Sequence, residues 1–104
     1  MNQGKIYKIH CLTTNQVYIG STIKDDIGVR VKEHLSYYKS YLNGKKTTYY
    51  SSYDVLKNNN YTVEIIEVLP FIHKRELHFR EKYFIENTDN VVNLRVPNRR
   101  TVLI

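Results

Sequence analysis

The chain has 104 residues, enough for one domain around one core. Its single cysteine, Cys11, excludes an intrachain disulfide and argues against a structural zinc site; no apolar run approaches the roughly 18 residues of a membrane span, and no secretory signal pattern follows Met1. Sixteen Lys and Arg against ten Asp and Glu leave +6, which favours a polyanionic partner, nucleic acid first, or simply serves solubility.

An intracellular protein, cytoplasmic or nuclear and neither secreted nor membrane-bound, is the expectation. The ten tyrosines and absent tryptophan accompany abundant Asn, Lys and Ile. Such a mix follows from an AT-rich coding sequence as readily as from function, and composition is the simpler account of Tyr37, Tyr38, Tyr41, Tyr49 and Tyr50.

Residues 4–10, GKIYKIH, alternate with Ile6, Lys8 and His10 on one side and Lys5, Tyr7 and Ile9 on the other, a strand pattern. TTNQ at 13–16 is turn-prone, with Asn15 suited to a left-handed conformation. VYIGST at 17–22 predicts a second strand, so 4–22 forms a hairpin, and Gly20 inside it marks a bulge or a close approach. Asp25 and Asp26 suit a helix N-terminus. From Ile27, the positions Val31, Leu35, Tyr38 and Leu42 describe an amphipathic helix that stops at Asn43-Gly44. A basic connection with Lys45 and Lys46 follows. Ser51 or Ser52 caps a short helix through Leu56, ended by Asn58–Asn60. YTVEIIEVL at 61–69 is the third strand, and a last helix runs from Ile72 to about Asn87 before an extended VVNLR. The fold class is α+β, a small three-stranded antiparallel sheet packed with three helices in the order β-β-α-α-β-α.

Three features carry chemistry. KIY at 5–7 and YIG at 18–20 set Tyr7 and Tyr18 eleven residues apart on neighbouring strands; alone, both are equally well ordinary strand aromatics. Arg30 and His34 emerge one turn apart at the edge of the helix's apolar stripe, and a solvated pair satisfies that spacing too. Glu81 falls within the apolar stripe of Leu77, Phe84 and Ile85, where a carboxylate needs a partner. A divalent cation serves, and so does an ion pair with an arginine such as Arg30. The opposite face of this helix, Phe79 and Tyr83, is also apolar, so the helix should be buried on both sides.

Taken together, KIY, the eleven-residue spacing, YIG, R-x-x-x-H at 30–34 and REKYFI at 80–85 resemble the GIY-YIG nuclease domain, the family of homing endonucleases, some restriction enzymes and repair nucleases. The resemblance covers about residues 4–95 and reproduces the β-β-α-α-β-α order. It departs at Lys5, which stands where the family's first glycine stands; that glycine carries no catalytic group. The resemblance implies a divalent-metal-dependent DNA endonuclease using one Mg²⁺ or Mn²⁺. Tyr7 and Tyr18 match the motif tyrosines, Arg30 the helix arginine, and His34 the residue a turn later. Glu81 matches the metal-binding carboxylate, and Asn93 the asparagine that closes the site. Gly20 lets the second strand pass close to substrate or to Tyr7, and Lys24 is a phosphate contact.

These residue types suit phosphodiester hydrolysis. Tyr7 is the candidate general base, its hydroxyl expected to be acidified by Arg30, His34 and a cation. Arg30 offers a planar fork to the scissile phosphate. Tyr18 orients water or phosphate, and His34 relays the proton. Glu81 holds one hard cation whose other positions take water and substrate oxygens. Lys45, Lys46, Arg95, Arg99 and Arg100 are further DNA contacts. Residues 1–95 then form the nuclease domain, and 96–104 a basic tail or the start of a linker to a separate DNA-reading domain beyond residue 104. The substrate is double-stranded DNA. The competing reading is a non-catalytic basic nucleic-acid-binding module with the tyrosines as stacking platforms.

Overall fold

The computed structural model describes residues 3–70 and 73–93. Strands β1 (Gly4–Cys11) and β2 (Val17–Thr22) form the expected hairpin, with Asn15 at φ 64° in its turn. Helix α1 (Ile27–Leu42) begins where Asp26 Oδ1 accepts from the Gly28 amide at 2.8 Å, and the chain leaves it through Gly44 at φ 77°. Both ends satisfy backbone groups that a helix alone leaves unpaired. Helix α2 (Tyr53–Leu56) follows Ser52, which occupies the cap position without a side-chain capping bond. Strand β3 (Tyr61–Leu69) and helix α3 (Lys74–Glu86) complete the order β-β-α-α-β-α.

The sheet is antiparallel with β1 central, in the order β2-β1-β3. Strand alternation sends β1 residues to two separate cores. Ile6 joins Val17, Ile19, Leu77 and Ile85 beneath α3. Tyr7, Ile9 and Cys11 join Val55 and Leu56 on the opposite face, with Leu35 and Tyr38 of α1 packed against them. Helices therefore cover both faces. The register of β1 with β2 is continuous and sets Tyr7 opposite Gly20 and Ile9 opposite Tyr18. The irregularity lies instead between β1 and β3, at Ile6/Tyr7.

Two expectations fail on burial. Phe79 is 64% exposed and Tyr83 46%, so α3 buries only the stripe of Leu77, Glu81 and Ile85. The sheet lies on one side of α3, and no second layer within the described residues covers the other. Leu42, read as part of the α1 stripe, is exposed as well. No helix among the described residues is long and apolar enough to cross a membrane.

Candidate active site

Tyr7 is fully buried, and its hydroxyl lies 2.7 Å from His34 Nε2. Register alone brings Tyr7 and Tyr18 together: both side chains leave the α1 face of the hairpin on a diagonal, with ring centroids 6.4 Å apart. His34 stands edge-on to both rings, at 6.1 Å from Tyr7 and 5.4 Å from Tyr18. Gly20 makes this possible. A Cβ built there would sit deep inside van der Waals contact with Cζ and Oη of Tyr7 and 3.0 Å from Tyr18. The close approach expected of Gly20 is therefore that of Tyr7, and the glycine makes room for the phenol.

Burial sets the protonation states. It pushes the Tyr7 hydroxyl well above the ordinary phenol range, and Tyr18 adds to this, while the positive charge of Arg30 only partly opposes it. Tyr18 is likewise pushed up to about 12 by burial first and by the charge of Glu81 second. His34 is lowered to about 4 by burial and then by Arg30. Of the three groups expected to acidify Tyr7, Arg30 is outweighed by desolvation, and a neutral imidazole contributes no positive charge. A protonated phenol beside an unprotonated imidazole is a donor facing an acceptor. In the tautomer that carries the imidazole proton on Nδ1, Tyr7 donates to Nε2.

Arg30 is anchored by its own helix. Its Nη1 donates to Glu33 Oε1 at 3.2 Å, and Lys24 Nζ reaches Glu33 Oε2 at 3.6 Å. Glu33 was not among the predicted residues, although its i+3 spacing from Arg30 is the signal that identifies it. The ion pair of Arg30 is with Glu33, and Glu81 takes a different partner. Ser21, adjacent to Gly20 and also unpredicted, donates its hydroxyl to Glu81 Oε1. Burial raises the Glu81 carboxyl above the usual range; the bond from Ser21 and the charge of Arg30 reduce the rise.

The two halves of the site come from opposite faces of the sheet. Ser21 shares the α3 face with Ile19, so Glu81 approaches from that side, whereas the tyrosines, His34 and Arg30 belong to the α1 side. They meet at β2, an edge strand, and the charge of Glu81 acts on both Tyr7 and Tyr18. The edge is closed next to the site by the segment after α3. Val91 makes a parallel bridge to Val17, and the Asn93 amide makes two bonds to the backbone of Ile19, accepting from N at 3.0 Å and donating to O at 2.7 Å. Asn93 imitates one more rung of sheet between Tyr18 and Gly20, so its contact is with the scaffold of the site.

Lys5 points its ammonium at the Lys24 carbonyl, 2.9 Å away, and is nearly buried. The lysine in place of glycine thereby ties β1 to the loop that leads into α1. Lys45 and Lys46 are exposed beyond the C-terminal end of α1. Arg95, Arg99 and Arg100, with the tail 96–104, lie outside the described residues. A hollow of about 330 Å³ along α1, lined by Lys32, Leu35, Ser36, Lys39, Ser40 and Asn43, belongs elsewhere. Ser36 stands about 200° around the helix from His34, so this hollow opens on the opposite flank.

Among the described residues no group of three or more His, Cys, Asp or Glu side chains is placed to hold a metal ion. One carboxylate with an adjacent hydroxyl still offers the oxygen donors that a hard cation takes while keeping most of its water. Glu81 is the side chain with the donor chemistry for it.

Element order, sheet and tyrosine pair define the fold of a GIY-YIG nuclease domain. Among solved structures, the chain is similar to a glutamate-to-alanine variant of the catalytic domain of intron endonuclease I-TevI. The TM-score is 0.64 and the identity 26%, over 92% of this chain and 96% of that one. No family model and no curated protein matches the sequence.

Proposed function

We propose that the chain is a divalent-metal-dependent DNA endonuclease and that the site at the β2 edge hydrolyses the phosphodiester. The observation that carries this reading is the buried Tyr7 hydroxyl 2.7 Å from Nε2 of His34, with Arg30 and Glu81 close enough to act on the same phenol. Similarity to the catalytic domain of an intron endonuclease supports it.

Water gives a proton to the Tyr7 oxygen as the phenol proton passes to His34 Nε2, and the hydroxide attacks phosphorus. His34 can accept because it starts neutral. Arg30 has five donors; Nη1 is on Glu33 and the guanidinium also hydrogen-bonds Tyr7, which leaves further N–H groups to meet the non-bridging oxygens as charge develops. Tyr18 borders the same space and orients the water or the phosphate. The 3′ oxygen departs as the P–O bond breaks and takes its proton from solvent. Glu81 would hold one Mg²⁺ or Mn²⁺, which when bound supplies positive charge for the leaving oxygen. Gly20 and Asn93 fix the geometry. Lys24, Lys45 and Lys46, with Arg95, Arg99 and Arg100, contribute charge to binding double-stranded DNA, and selection of a target falls to a separate DNA-reading domain. Residues 1–95 form the nuclease domain.

Single-turnover cleavage by variants tests the roles. Arg30→Ala should slow cleavage by about 100-fold or more, the scale of losing one transition-state charge contact. Tyr7→Phe should fold normally and lose most of the rate. Wild-type rates in Tyr7→Phe would transfer the base to another group, and wild-type rates in Arg30→Ala would remove it from the phosphate.

A further inference from the structure

We infer that Tyr37 and Tyr50, with Lys46 beside them, form a stacking site for an unpaired DNA base flanking the scissile phosphate; the inference rests on reading the chain as a DNA nuclease. The tyrosines that composition alone would explain divide into two groups. Tyr53 is fully buried and is the hub of the first: its ring lies 5.0 Å from Tyr38, 5.5 Å from Tyr41 and 5.2 Å from Tyr49. Tyr49, although 41% exposed, is tied down by its hydroxyl on Asp54. These rings fasten α2 to the end of α1. Tyr37 and Tyr50 instead face each other, 40% and 51% exposed, with centroids 6.5 Å apart and planes tilted by 38°. Tyr50 is braced from below by Tyr53 at 5.7 Å, so its outer part is presented on a fixed base.

Their position relates them to the catalytic site. Tyr37 follows Arg30 by seven residues and His34 by three, so all three occupy one flank of α1. Arg30 and Tyr37 are separated by about 10 Å of helix rise. A strand with its phosphate at Arg30 reaches Tyr37 about three nucleotides later at the B-form rise of about 3.4 Å, and sooner when stretched. Lys46 Nζ lies 5.0 Å from the Tyr37 ring centroid, a cation resting on a π face. A nucleotide supplies a partner to each member of that pair, a flat base for the ring and a phosphate for the ammonium. Lys45 and the net charge of +6 favour the same polyanion. In an intact duplex the faces of the bases are stacked on one another, so a base that meets these rings is unpaired.

The test uses a single-stranded DNA oligonucleotide carrying 2-aminopurine and a blunt duplex of equal length, both with chelator present so that neither is cut. Wild-type protein should quench the 2-aminopurine. Tyr37→Leu and Tyr50→Leu should lose most of the quenching and bind the single strand about 10-fold more weakly, within the range for removing one stacking ring. Tyr37→Phe should retain both, and duplex affinity should change less than about twofold in all three variants. Tyr50 lies outside α1, so its variant remains informative even where Tyr37→Leu disturbs the helix. Undiminished quenching in both Leu variants would overturn the inference, as would equal weakening toward single strand and duplex, which marks a backbone contact. Failure of the wild type to bind either oligonucleotide would overturn it together with the nuclease reading, whereas undiminished quenching with binding retained overturns the inference alone.

Discussion

Tyr7 is buried as a phenol only because Gly20 leaves it room, and its hydroxyl meets His34 Nε2 at 2.7 Å. Gly20→Ala would drive a methyl group into the Tyr7 ring. Denaturant unfolding should show a loss of about 2 kcal/mol, typical of overpacking, with cleavage lost as the phenol is displaced. His34 makes stability depend on pH. Its folded value is about 4, against 6.5 in the unfolded chain, so the unfolded state binds more protons between those values. The folded state carries no such penalty above about pH 6.5, loses stability as the pH falls from there to about 4, and loses no more below. The full effect is about 3 kcal/mol. Glu81 acts in the opposite sense, because its raised carboxyl makes the folded state bind a proton more readily as acid is added. Comparison of wild type with His34→Gln at pH 7 and pH 4.5 isolates the histidine: the variant should lose less stability on acidification. An equal loss in both proteins would contradict a neutral buried imidazole.

At the scale of elements, Asn93 is the prediction. Its amide satisfies both backbone groups of Ile19 on the open edge of β2, so Asn93→Ala strands two polar groups and should cost about 2 kcal/mol. Hydrogen exchange should then speed up in β2 more than in β1, which stays paired on both sides. Unaltered exchange at Ile19 would show that the segment after α3 is not what holds the edge. The elements themselves were legible in the sequence, because the period-2 run at 4–10, the Asp26 cap and the Asn43-Gly44 stop are local signals. The site was legible as residue types and spacings. Its partners were less so. Ser21 meets Glu81 only because β2 and α3 share one face of the sheet, and no local pattern announces that. The exposure of Phe79 and Tyr83 was hidden for the same reason: an apolar face on a helix wheel does not say whether a second layer exists to cover it. The upward push of burial on Tyr7 was not legible because spacing reveals neighbouring charge, whereas the depth of burial emerges only once both helices are in place.

Across the whole molecule, a +6 chain brings two dissimilar half-sites to one sheet edge: phenols, imidazole and guanidinium from the α1 side, and a carboxylate from the α3 side. A binding module would need the charge but not this convergence. Conversion of supercoiled plasmid by wild type and Glu81→Ala, with Mg²⁺, with Mn²⁺ and with chelator, separates the two accounts most directly. The predicted result is cleavage by the wild type with at least one of the ions and none with chelator, and a rate lower by about 100-fold or more in Glu81→Ala while DNA binding persists. Intact plasmid after incubation with folded wild-type protein and either ion, or wild-type cleavage by Glu81→Ala, would contradict the account.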